Sequence, residues 1–116
     1  FQIADDVLDY VSDADTMGKN VGDDLAEGKP TLPLIHALQH ADADSAQTIR
    51  RVIETGGLDS LDRVIAAIRD SGAIDYSLAR AQSFADAAHR ALDAVPDGAA
   101  RDCLDVLARY AIQRDH

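Results

Sequence analysis

Apolar residues recur at three- and four-residue intervals along almost the whole chain, and no segment reads as a β-strand. That spacing turns one side of each segment toward a core, which is the pattern of amphipathic helices. Glycine and proline punctuate it. Helices are expected over residues 1–11, 31–40, 44–54, 58–70, 75–94 and 98–114, with residues 12–28 a polar, glycine-bearing loop. Pro30 and Pro33 stand near a helix start, where proline is tolerated. Gly56 and Gly57 form a strong breaker pair, and Gly72 and Pro96 mark two further ends. The stripes are Ile3, Val7, Leu8 and Val11 in the first helix and Leu58, Leu61, Val64, Ile65 and Ile68 in the fourth. In the last helix Cys103, Leu104, Leu107, Tyr110 and Ala111 share a stripe, which makes Cys103 a small core residue, and Asp97 is the N-cap candidate. The alanine-rich last two helices are expected to pack as a tight antiparallel pair. The fold class is all-α.

A length of 116 residues suits one domain or part of one, and 47% hydrophobic residues are enough for a core. The chain opens on Phe1, inside a helical pattern and without Met, so it is expected to be a piece of something longer. Its net charge of -10 argues against nucleic acid or an anionic membrane surface as partner, because either would be repelled. A single cysteine implies no internal disulfide, and no apolar run approaches the roughly 20 residues that span a bilayer. A cytoplasmic location is therefore expected.

The acids are unusual in kind: 19 of the 21 are Asp, and the only lysines among 11 basic residues are Lys19 and Lys29. Asp5 and Asp9 lie one helical turn apart, so their carboxylates project from one face, with Asp6 beside them. Like charges so placed destabilise a helix unless a cation offsets them. Paired hard oxygen ligands with room for water and phosphate suit Mg²⁺ better than zinc. Both lysines follow on the glycine-bearing segment, and a compact ammonium on a flexible stem suits a phosphate. Carboxylates, Mg²⁺ and lysines together describe a metal-bridged diphosphate site.

These residues resemble a known family. Phe1-Gln2 followed by Asp5-Asp6-Val7-Leu8-Asp9 is similar to the second aspartate-rich motif (DDxxD) of the trans-prenyl diphosphate synthases. Gly18-Lys19-Asn20-Val21-Gly22-Asp23-Asp24-Leu25 and Glu27-Gly28-Lys29-Pro30-Thr31-Leu32-Pro33 look like the family's following loop and helix start. The latter form resembles the long-chain polyprenyl type, such as the octaprenyl diphosphate synthases of ubiquinone side-chain synthesis. The ending from Tyr110 to His116 is similar to the family's C-terminus.

The resemblance implies the C-terminal helices of an isoprenoid-synthase bundle, about the last third of a member. Residues 1–33 would carry the motif and diphosphate loop, and residues 34–116 the helical scaffold. It implies that Asp5, Asp6, Asp9 and Asp23 hold Mg²⁺, directly or through water. Gln2, Lys19 and Lys29 would contact the allylic diphosphate, Phe1 would form pocket wall, and Asp5 and Lys19 would count as catalytic. The implied reaction is head-to-tail condensation of isopentenyl diphosphate with an allylic diphosphate, in a parent enzyme that is a homodimer. The first aspartate-rich motif and the isopentenyl diphosphate site are not in this sequence, so the 116 residues alone are expected to be inactive.

Two other readings compete. Asp13, Asp15, Gly18 and Asp24 imitate a calcium-binding EF-hand loop, but Met17 falls where an oxygen ligand belongs and Asp24 replaces the bidentate Glu. A purely structural helical module with a solvated acidic face is the other, and it is the expected role of the later aspartates. His36 and His40 could imitate half a zinc site. Ala37 follows His36 where that motif has its glutamate, so both histidines are expected to serve packing or surface. Tyr10 is expected to pack at the mouth of the site.

Overall fold

The structure, a computed structural model, describes residues 1–11, 22–56 and 59–113. Lys19, residues 13–21 of the calcium-loop imitation that runs to Asp24, Leu58, Arg114 and His116 lie outside the described residues. Among the described residues seven α-helices follow in order: α1 (Gln2–Val11), α2 (Asp23–Ala26), α3 (Leu32–His40), α4 (Ala43–Thr55), α5 (Leu61–Asp70), α6 (Ala73–Ala91) and α7 (Ala99–Tyr110). A 3-10 turn, Leu92–Ala94, closes α6, and no strand occurs among the described residues.

The element ends have local causes. The carbonyl of Thr31 accepts from the Ile35 amide to open α3, whose first turn accommodates Pro33. Asp42 caps α4 by accepting from the Ser45 amide at 2.8 Å, and α4 ends at Gly56. The core gathers Leu25, Leu34, Ile49, Val52, Val64, Ile68 and Ala73 between α2, α3, α4, α5 and the start of α6. Helix α6 is the longest and packs on α1, α3 and α5, so it ties the site helix to the core.

Three expectations are corrected. The segment read as loop contains α2, a single turn too short for a periodic apolar signal. Cys103 is exposed: α7 buries none of its residues, because it packs mainly on α6 and the 3-10 turn and its stripe reaches past them. Asp97 does not cap α7; Gly98 holds that position, and the Asp97 carboxylate accepts from Arg101 at 2.6 Å. The histidine expectation holds. His36 stacks on Tyr76 with ring centroids 4.3 Å apart and meets His40 edge-on at 4.2 Å. Burial, aided by the neighbouring His40, lowers the His36 pKa.

Candidate diphosphate site

The site is built where α1 meets the segment around α2. Along α1, the buried residues Ala4, Asp6, Val7, Leu8 and Tyr10 face inward, which leaves Asp5 and Asp9 half-buried and one turn apart. Asp6 is turned in and only 6% exposed. A carboxylate at that depth requires partners. It has two, both on one oxygen: Gln2 Nε2 donates at 2.9 Å from a turn earlier, and Lys29 Nζ donates at 3.1 Å from 23 residues later. Lys29 also lies 3.5 Å from a carboxylate oxygen of Asp24. The hydrogen bond to Asp6 raises the Lys29 pKa against the opposing effect of burial, and the Asp6 and Asp24 charges add to the rise.

Helix α2 is fastened to the C-terminal half of α1. The Asp9 carbonyl accepts from the Gly22 amide at 3.1 Å, and an Asp9 carboxylate oxygen accepts from the Asp24 amide at 3.3 Å. A carboxylate at a helix N-terminus is favoured by the unpaired amides there. Gly22 is favoured by its φ of +86°, and a Cβ there would come within 2.6 Å of Leu61 Cδ1, so that side chain would have to shift. Gly28, φ +70°, makes the turn that delivers Lys29, with a Cβ position 3.2 Å from the Ile53 carbonyl oxygen. Leu25, fully buried, pins α2 onto the core.

Tyr10 lies deeper than a mouth residue. It is 6% exposed and belongs to the core cluster, with its hydroxyl 3.4 Å from Thr31 Oγ1. Burial, and to a lesser degree the charges of Asp9, Asp24 and Asp6, push its pKa up to about 12.

Of the residues singled out in the sequence, Gln2, Asp6 and Lys29 are joined directly, and Asp9 joins through α2. Phe1 lies at the start of α1, 68% exposed, beside an apolar groove. Asp23 stands in the first turn of α2, half-buried. Asp24 is the residue sequence reasoning passed over. It links Lys29 and Asp9, and its only trace in the sequence is the doubled acid after Gly22. Among the described residues, no group of three or more His, Cys, Asp or Glu converges on one point. Asp5 and Asp9 are nevertheless hard oxygen donors one turn apart, a pair that fits a hard cation also ligated by a phosphate.

A family model described as polyprenyl synthetase matches residues 1–70. The chain belongs to the polyprenyl synthetase family. Over 114 residues it is 52% identical to the all-trans-nonaprenyl-diphosphate synthase (geranyl-diphosphate specific) of Rhodobacter capsulatus, spanning 98% of this chain and 35% of that protein. It is 48% identical to the octaprenyl diphosphate synthase of Escherichia coli K12, covering 99% of this chain and 36% of that one. A solved polyprenyl synthase from Caulobacter crescentus, complexed with calcium and isoprenyl diphosphate, superposes with a TM-score of 0.87 at 38% identity. It covers 99% of this chain and 36% of that chain. The chain therefore has the all-α isoprenoid-synthase fold over its length and spans about a third of its relatives.

Proposed function

We propose that this chain is part of a long-chain trans-polyprenyl diphosphate synthase and supplies one wall of its Mg²⁺–diphosphate site. The observation that carries the reading is the placement of Lys29. Its ammonium is held by Asp6, which lies between Asp5 and Asp9 in α1, and by Asp24, whose amide donates to the Asp9 carboxylate, so a cation is tied to the helix that carries both hard donors. The similarity to synthases that make octaprenyl and nonaprenyl diphosphate supports the long-chain assignment. Asp5 and Asp9 would hold Mg²⁺, with Asp6 fixing Lys29 and Asp23 supporting metal-bound water. The metal, when bound, supplies charge neutralisation for an anionic diphosphate.

The reaction is condensation of an allylic diphosphate with isopentenyl diphosphate, in a homodimeric parent. The allylic carbon–oxygen bond breaks, and the isopentenyl double bond attacks the allylic cation. The proton then lost passes to the departing diphosphate. Lys29 acts on the leaving diphosphate, where fixed positive charge lowers the barrier without reorganising. Lys19 is assigned the same role, and Gln2 fixes the Asp6 carboxylate while Phe1 bounds the allylic tail.

Calorimetry with inorganic pyrophosphate tests the reading on the 116-residue chain. Pyrophosphate binding that requires Mg²⁺, and that weakens about tenfold or more in Asp5→Asn and Lys29→Met and less in Asp24→Asn, is expected; tenfold corresponds to about 1.4 kcal/mol. Binding that ignores Mg²⁺ and these variants would sink it. Tight calcium binding without any diphosphate would favour the calcium-loop reading. Prenyl transfer by the chain alone would contradict its expected inactivity.

A further inference from the structure

Helix α4 has a face that the diphosphate site does not use. Ile49 and Val52 turn into the core, while Asp44, Arg50, Arg51 and Glu54 are exposed. That exposed face and the start of α5, through Arg63, border a groove of about 500 Å³. Three of the chain's nine arginines line this one groove against two carboxylates, in a chain whose net charge is -10. Their pairing is incomplete. Arg63 Nη2 donates to an Asp44 carboxylate oxygen at 3.1 Å, and both side chains are exposed. Arg51 Nη2 donates to the Ser60 hydroxyl at 3.3 Å, a neutral partner that steadies the fork and leaves its charge uncompensated. The Arg50 side chain has no ion pair or hydrogen bond among the described residues. Glu54 stands four residues after Arg50 and three after Arg51, the spacing of helical ion pairs, yet pairs with neither. With 21 acidic residues in the chain, two guanidiniums without a carboxylate are a local arrangement and not a shortage of partners.

We propose that this groove is a second anion site, which takes a triphosphate chain, free or carried by a nucleotide. A guanidinium presents a planar fork of donors that matches the oxygens of a phosphate, and it stays charged at physiological pH. Two unpaired forks, and a third held only by an exposed and solvent-screened pair, suit a ligand that presents several oxyanions at once. The acidic chain repels anions at long range, but physiological salt screens that field beyond about 8 Å, and the guanidiniums act at contact. No residue of the groove belongs to α1, α2 or the turn that carries Lys29, so binding here calls for neither Mg²⁺ nor Lys29. It is therefore independent of the family reading above.

Calorimetric titration of the 116-residue chain with sodium triphosphate, and separately with ATP, in EDTA at physiological salt is the test. Both are expected to bind at one site per chain, and whichever binds tighter names the source of the phosphate chain. Binding should weaken at least tenfold in the Arg50→Gln, Arg51→Gln double variant and stay unchanged in Lys29→Met. Asp44→Asn, which releases Arg63, should tighten it about threefold, a gain that unfolding of a variant could not produce. The substituted positions on α4 are exposed, where such changes leave the fold intact. Absence of triphosphate binding, binding that survives the double arginine variant, loss in Lys29→Met, or weakening in Asp44→Asn would each overturn the proposal. Binding of ATP but not of free triphosphate would place recognition on the nucleoside and overturn it as well. Pyrophosphate titrated with Mg²⁺ in the double arginine variant reads the first site by itself, so either site can fail without the other.

Discussion

Asp6 and Lys29 are separated by 23 positions and meet at 3.1 Å, so the motif reads as one unit only after the chain has folded. The types of residue were legible from chemistry: clustered Asp with the only described lysine nearby. Which oxygen each partner takes was not, because it depends on how deeply α1 buries Asp6. Depth also governs Tyr10. Its folded pKa of about 12 exceeds its ordinary value near 10, so the neutral phenol is the form favoured by folding. The sign follows directly. The stability tied to this group is complete below pH 10 and is lost as pH rises through 12, a loss on the order of 2 kcal/mol. Denaturant melts between pH 9 and pH 12 check this: Tyr10→Phe is expected to flatten the decline. A decline of equal slope in Tyr10→Phe would show that another group causes it.

At the level of elements, periodicity located six of the seven helices among the described residues, three of them (α1, α3 and α4) to within two residues at both ends, and placed the Leu61, Val64, Ile65 and Ile68 stripe against the core. The start of the fourth predicted helix was set three residues early, at Leu58. Helix α2 escaped because four residues complete one turn and leave no second apolar position to compare. It is held by one fully buried side chain, Leu25, by the turn at Gly22 and by its amide contact with Asp9. Leu25→Ala is expected to cost about 2–5 kcal/mol in a denaturant melt, the range for truncating a buried leucine. Because α2 carries Asp24 and leads directly to Lys29, the same variant should weaken Mg²⁺-dependent pyrophosphate binding at temperatures where the fold is intact. Full-strength binding in a destabilised Leu25→Ala chain would show that α2 does not position the lysine.

Across the whole molecule, burial is divided unevenly. Residues from Leu34 to Ala81 contain most of the fully buried side chains, whereas the second half of α6 and all of α7 contain none. This asymmetry could not be read from the helical pattern of α7, since an apolar stripe records that a face is buried somewhere and not against what. Polar contacts at the surface join α7 to α6 through His89 and to the connecting turn through Arg101. Asp105 accepts from His89 and Arg109, both at 2.5 Å, and Arg101 reaches Asp93 at 3.0 Å and Asp97 at 2.6 Å. The partner hydrogen bond from His89 holds the Asp105 carboxyl below the usual range, with Arg109 adding to the effect. Exposed ion pairs are screened by salt, while apolar burial is not. Hydrogen exchange should therefore resolve two layers in the isolated chain. Amides of α3, α4 and α5 are expected to exchange together and slowly, and those of α7 much faster, with the gap widening between 0.05 M and 0.5 M NaCl as the Debye length shrinks about threefold. Uniform exchange across α3 to α7 in the isolated chain would mean that the hairpin draws stability from a source other than these surface contacts.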